Sequence, residues 1–215
     1  WMDMQGYGVK AVERGLKVMV YNSDCPPEIE RVACLCPDPT EPGRISAQAV
    51  AKNLGKKGKV AVLHGDLEVA TNSERIESFK SELKKYKGIE IVDEILVVDN
   101  EEDVYSKAME CLRNHKDVQA LFITNGFPCV VAKAIEDSKM VGKVQIYAFD
   151  PDPEVNANIK KGIVACAVGQ DSFGQGHDPV IWLYNHLAGG EPFPSDIIHC
   201  RVSVVDRSNV DSLIV

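Results

Sequence analysis

A chain of 215 residues allows one large domain or two small ones. Its 45% apolar and 26% charged residues are an ordinary globular make-up, and no run reaches the roughly 18 apolar residues that span a bilayer. A net charge of −8 leaves these residues no electrostatic footprint for nucleic acid or an anionic membrane.

Residues 16–22 (LKVMVYN) and 31–36 (RVACLC) are short apolar runs that predict strands. Residues 45–54 predict a helix, with Ile45, Ala49, Val50 and Leu54 near helical spacing. Lys52, Lys56, Lys57 and Lys59 follow as a solvated helix C-terminus that complements the dipole. Residues 60–63 predict a buried strand. Thr71-Asn72-Ser73-Glu74 has the form of a capping box, opening a helix with Ile76, Phe79, Leu83 and Tyr86 on one face. Residues 89–98 are extended. Residues 101–113 predict a helix led by acidic residues, with Val104, Ala108, Cys111 and Leu112 inward.

The run 118–125 is a strand, and Val130, Val131, Ala134 and Ile135 mark the next helix. The strand 144–150 leads to a short helix, 153–161, stopped by Gly162 as its C′ residue. After the strand 163–170, Asp178-Pro179 predicts an N-cap and first-turn proline for a helix reaching Gly189-Gly190. Residues 197–205 predict a last strand and 209–215 a tail. There is no internal repeat or low-complexity segment. Strand and helix alternate throughout, which predicts an α/β fold with parallel sheets.

The seven cysteines are an odd number without framework spacing, against a disulfide scaffold. Cys111 and Cys166 read as small core residues. Cys34 and Cys36 share one face of a strand, a spacing unlike a CxxC zinc site. This usage leans towards a reducing compartment.

Polar residues stand at the carboxyl ends of the apolar strands, where ligands bind in an open parallel sheet. Asn22 ends VMVYN, Asn125 ends ALFITN, Asp150 ends IYAFD and Gln170 ends ACAVGQ. The strand KVAVLHGD leads instead through a loop to Arg75. Each has a structural reading beside the functional one. Arg75 can be a surface helical arginine, Asn125 a turn former before Gly126, Asp150 an N-cap and Gln170 a hinge amide. Other chemistry is poorly supported. Gly6-x-Gly8-x-x-Ala11 lacks the preceding strand of a dinucleotide fingerprint. His64, Asp66 and Glu68 read as a polar loop at the rim rather than a metal set. No GxSxG, P-loop or HExxH occurs, and no cofactor is implied.

In their order and spacing, several stretches together resemble the type I periplasmic-binding-protein superfamily. They are LKVMVYNSD, DPTEPGRISAQAVAKNL, KVAVLHGD, SERIESF, ALFITN, IYAFDPDPE, IKKGIVACAVGQDSFGQG and SVVDRSNVD. That superfamily includes sugar-binding proteins of ABC importers, ribose-binding proteins among them, and ligand domains of lactose-repressor-type regulators. The resemblance implies two lobes, each a parallel sheet flanked by helices, with the ligand in the cleft. Residues 1–37 and 171–199 would form the N-terminal lobe, and 38–170 with 200–215 the C-terminal lobe. It also implies ligand contacts from Asn22, Arg75, Asn125, Asp150 and Gln170. Arg75 precedes Phe79 by four positions, as the family's sugar-contacting arginine precedes its phenylalanine. At Asn22 the family often has Asp, so a charge is absent there unless Asp24 supplies it. The family's main stacking aromatics lie upstream of this chain's first match. Phe127 and Phe173 are candidates to stack on a sugar ring, with core packing the favoured reading, and Asp99, Asn100 and Glu101 stand where relatives show an aromatic, so stacking from that side is unsupported.

Two expected strands make a marginal N-terminal lobe. The family's lobe begins with about three further βα units, so roughly 90 residues are expected upstream. Val18, Val20 and the Trp182 helix are then expected to expose apolar surface. The functional expectation is a solute-binding protein that takes a monosaccharide or similar polyol to an ABC-type permease, periplasmic or extracellular and possibly lipid-anchored. The alternative is the ligand-sensing domain of a cytoplasmic repressor that meets DNA through an upstream domain. An enzyme on this fold has no support beyond a polar cleft.

Overall fold

The computed structural model describes residues 2–125 and 127–212, with side chains from residue 6 onward except that of Ala70. The expected Asn-Gly turn residue Gly126 and the end of the expected tail, 213–215, lie outside the described residues. In chain order the elements begin with α1 (Met2–Glu13), β1 (Val18–Tyr21), β2 (Arg31–Cys36), α2 (Glu41–Asn53), β3 (Lys57–His64) and α3 (Ala70–Leu83). Then come β4 (Gly88–Leu96), α4 (Glu101–Asn114), β5 (Ala120–Ile123), α5 (Pro128–Asp137) and β6 (Gln145–Phe149). The last are α6 (Pro153–Lys161), β7 (Val164–Gln170), α7 (Ser172–Gly189), β8 (Ile197–His199) and β9 (Val202–Asp206).

These elements form two units. The larger comprises Pro39–Gly169 and Ser203–Val215, the smaller Trp1–Asp38 and Gln170–Val202. Asp38, Gln170 and residues 200–202 therefore fall in the smaller unit, whereas the sequence placed them in the C-terminal lobe.

The larger unit is a six-stranded sheet in the order β4-β3-β5-β6-β7-β9, parallel from β4 through β7. Helices cover it, so its central strands are apolar on both faces rather than alternating. Val60 to Leu63 on β3 and Ala120 to Ile123 on β5 are all fully buried. Its helix ends follow simple capping chemistry. Asn100 accepts the Asp103 N–H at 2.8 Å to start α4, and Asp152 accepts the Val155 N–H at 2.7 Å to start α6. Gly162 closes α6 at φ +79°, a conformation open to glycine.

Helices α2 and α3 pack against each other with Gly43 at the crossing. A Cβ there would run into Ser78 Oγ and the Arg75 carbonyl and come within 2.8 Å of the Phe79 nitrogen. Two of these three are backbone atoms that cannot rotate away. Gly43→Ala is expected to cost about 1–3 kcal/mol by overpacking. Urea denaturation checks this, and wild-type stability would show that the two helices separate freely.

The smaller unit has a three-stranded parallel sheet, β1-β2-β8, one strand more than expected. Arg31 holds it together by pairing with both Asp24 and Asp196. Its apolar surface is only partly covered. Val18 and Val20 are half-buried and line an open hollow with Tyr7, Ala11 and Ile29. On α7, Val180, Ile181, Tyr184 and Leu187 are exposed, Tyr184 by 69%, while Trp182 and Leu183 are half-buried.

Four local expectations are corrected. The Thr71–Glu74 capping box does not form, because α3 starts at Ala70 with Val69 as N-cap and no side-chain cap. The Asn72 side chain instead donates to the Asp66 carbonyl at 3.0 Å and holds the preceding loop. Helix α7 does not start at Asp178-Pro179. Asp171 accepts the Gly174 N–H at 2.8 Å and starts it at Ser172, leaving Pro179 in the helix interior without an N–H to give. The last expected strand is two, since β8 pairs in the smaller unit and β9 belongs to the larger unit's sheet. Residues 207–212 are turns rather than a loose tail: Asn209 bonds the Val204 carbonyl and Asp206 N–H, and Val210 is buried.

Candidate functional site

The carboxyl ends of β3, β5 and β6 in the larger unit meet one turn of α3. An aromatic column forms the floor. Phe79 of α3 stacks on Phe122 of β5 at 3.9 Å, and Phe149 of β6 meets Phe122 edge-on at 5.7 Å. The Arg75 guanidinium lies 3.9 Å from the Phe149 ring centre. A desolvated cation over an aromatic face is worth about 2 kcal/mol or more. Arg75 Nη1 donates to the Thr124 carbonyl at 2.9 Å, and Nη2 stands 3.8 Å from Asp150 Oδ2. The Arg75 side chain is only 12% exposed. Burial pushes its pKa down and the Asp150 carboxylate pushes it back up; the guanidinium stays charged.

Asp150 follows β6 at φ +53°, a left-handed turn that aspartate tolerates. Its backbone N–H donates to Val168 O at 2.9 Å. Because Asp152 caps α6, the Asp150 carboxylate is not used for capping, and it is 63% exposed.

Asn125 is buried at the end of β5. Its Nδ2 lies 3.5 Å from Asp99 Oδ1, while its Oδ1 and the Thr124 hydroxyl are buried without a partner among the described residues. Buried polar atoms are nearly always paired, so these two mark a place where the chain alone leaves bonds unmade. In the sequence, Asp99 is marked only as standing where relatives show an aromatic, with no ligand role. It lies three residues past β4, at the same end of the sheet, with the composition of an ordinary loop.

The structure thus brings Arg75 and Asp150 together, with Asn125 one residue beyond the carbonyl that holds Arg75. Asn22 and Gln170 lie in the smaller unit. Asn22 is exposed at φ +70°, with its N–H on the Leu35 carbonyl. Gln170 is half-buried and accepts from Gln175 Nε2 at 3.3 Å. Asp24 is bound by Arg31 through two nitrogens, a contact that lowers its pKa, so its charge is already neutralised within that unit.

Other candidates resolve differently. Phe127 packs on the core as expected, whereas Phe173 is 78% exposed and stacks on His177, because α7 starts earlier than its sequence suggests. His64 is not in a loop. It is the buried last residue of β3, with Nδ1 2.8 Å from the Gly65 carbonyl and Nε2 3.9 Å from Glu94. Among the described residues no cluster of three His, Cys, Asp or Glu is placed to hold a metal. All seven cysteines are free thiols. The neighbouring Cys34 thiol pulls Cys36 down to about 7, while Cys36 and burial push Cys34 up.

A family model described as a periplasmic binding protein domain matches residues 8–191. No curated protein matches the chain. Several solved structures do. An ABC transporter solute binding protein from Burkholderia graminis, in complex with D-arabinose, is 28% identical at a TM-score of 0.87, over 97% of this chain and 73% of its own. A solute binding protein from Agrobacterium vitis, bound with alpha-D-tagatopyranose, is 26% identical at 0.82, over 94% and 70%. The glucose-galactose binding protein GanP from Geobacillus stearothermophilus is 25% identical at 0.85, over 95% and 72%.

Proposed function

This chain belongs to the periplasmic binding protein domain family, and from that premise we propose that it captures a monosaccharide, or a similar polyhydroxylated small molecule, for import by an ABC-type transporter. The observation that carries the reading is the Arg75 guanidinium, set on Phe149 beside the open carboxylate of Asp150. A guanidinium fork can donate to two adjacent hydroxyls, and a carboxylate is the strongest acceptor for a third. Asn125 adds a buried amide with one unmet acceptor. Asn22 and Gln170 are further proposed contacts. The three neighbours described above are sugar-binding or solute-binding proteins, and the arrangement of donors and acceptors suits recognition rather than bond cleavage. The partner is the transporter's permease, met on the periplasmic or extracellular side. No helix of the described residues is long and apolar enough to cross a membrane.

A thermal-shift screen of the full-length protein tests this reading with D-arabinose, D-glucose, D-galactose, D-tagatose and simple polyols. A sugar present at 100 times its Kd should add about 2.7 kcal/mol of stability. No shift with any of them would remove the sugar-binding reading.

A further inference from the structure

The charges at the strand ends of the larger unit are unevenly exposed. Arg75 is almost covered, lies over Phe149 and has Nη1 bound to the Thr124 carbonyl. The two carboxylates, Asp150 and Asp99, face solvent. Asn125 links them to one site. It follows Thr124 directly, its Nδ2 is directed at Asp99, and its Oδ1 is buried with no partner among the described residues. Gly65 lies beside this site: a Cβ there would crowd Asn72 Nδ2 at 2.8 Å and make an ordinary van der Waals contact with Asp99 Oδ1 at 3.7 Å. Beside the donors left on Arg75 and the Thr124 hydroxyl, the unmet groups include three acceptors, the Asp99 and Asp150 carboxylates and the Asn125 oxygen. A molecule that satisfies them must donate hydrogen bonds. An anionic group placed among them would meet two negative charges and a cation already shared with Asp150.

We infer that Asp99 sets the ligand class of this site by taking a hydrogen-bond donor from the ligand, so that neutral and ammonium-bearing sugars are selected and uronates and sugar phosphates are rejected. The inference rests on the sugar-binding reading above and names the chemistry within it.

Asp99→Asn is a clean probe, because its amide oxygen can still accept from Asn125 while the charge is gone. The full-length protein and this variant would be titrated calorimetrically with D-arabinose, D-glucose, D-galactose and D-tagatose. The same titrations would use D-glucosamine, D-galactosamine, D-glucuronate, D-galacturonate and D-glucose 6-phosphate. Neutral or amino sugars should bind the wild type at least tenfold tighter than any anionic counterpart. Asp99→Asn should weaken the bound sugar about tenfold and narrow the gap to the anionic ones. A uronate or phosphate binding as tightly as its neutral parent would overturn the inference, as would unchanged affinity in both Asp99→Asn and Asp99→Ala. In that outcome the sugar-binding reading stands. If no sugar of any charge binds the wild type, that reading falls and the inference falls with it. Asp99 is exposed, so both variants should keep the wild-type melting temperature, and that measurement separates lost recognition from lost folding.

Discussion

Phe122→Ala should lower the free energy of unfolding by about 3–5 kcal/mol, read as a fall in the urea midpoint at constant m-value. Phe122 is fully buried on β5, a central strand, with Phe79 stacked on one side and Phe149 edge-on. Truncation removes the ring's transfer free energy and leaves a cavity bounded by two other rings, neither free to collapse. Phe79 is fixed by α3 and Phe149 by β6 and by the guanidinium above it. The same substitution should weaken sugar binding, because the column that supports Arg75 loses its middle member. Phe122→Leu keeps most of the volume and should lose much less of both. A loss below about 1 kcal/mol for Phe122→Ala would mean that the column is not what anchors α3 to the sheet.

The fold was legible wherever local chemistry and tertiary packing agree. The apolar runs at 60–63 and 120–123 read as strands because a parallel strand covered on both faces has no polar side to confuse the pattern. Residues 153–161 were bounded correctly because the first-turn proline and Gly162 act locally. The errors came where a distant contact decides. Thr71 and Glu74 have the spacing of a capping box, but the loop before α3 is set by the Asn72–Asp66 bond, and the helix starts two residues earlier. Pro179 is read most simply as a helix start, yet the cap at Asp171 begins α7 upstream and the helix carries the proline. Cys200 and Arg201 divide one apolar run between two sheets, and nothing in a one-dimensional pattern marks that change. At the site, Asn125 and Asp150 are visible as polar residues closing apolar strands. Arg75 becomes visible through its four-residue spacing from Phe79. Asp99 looks like any loop aspartate until its carboxylate is seen beside the buried Asn125 amide.

Arg75→Met should separate binding from stability. Losing a buried hydrogen-bonded charge from a recognition site costs about 2–5 kcal/mol of binding, a rise of roughly 30- to 5,000-fold in Kd for the sugar. Stability should change far less. The Arg75–Asp150 contact is 3.8 Å long, and the carboxylate is 63% exposed, so solvent screening leaves the pair worth at most about 1 kcal/mol to folding. Burial already disfavours the guanidinium, as its lowered pKa records. A methionine would keep the stem on Phe149 and add a sulfur–aromatic contact of about 0.3–1.5 kcal/mol. Against this stands the Thr124 carbonyl, which loses a partner at a cost of about 1–3 kcal/mol if no water replaces it. The cation–π contact with Phe149, about 2 kcal/mol, is lost as well, and relief of the buried charge's desolvation offsets part of these losses. The expected result is a modest fall in melting temperature and a Kd raised by more than an order of magnitude. Asp150→Asn completes a double-mutant cycle: if both residues grip one sugar, their losses in binding should fail to add, while their coupling in stability should stay within the roughly 1 kcal/mol of the exposed ion pair. A variant with wild-type Kd would remove Arg75 from the site. A melting temperature falling in step with affinity would make it a structural residue.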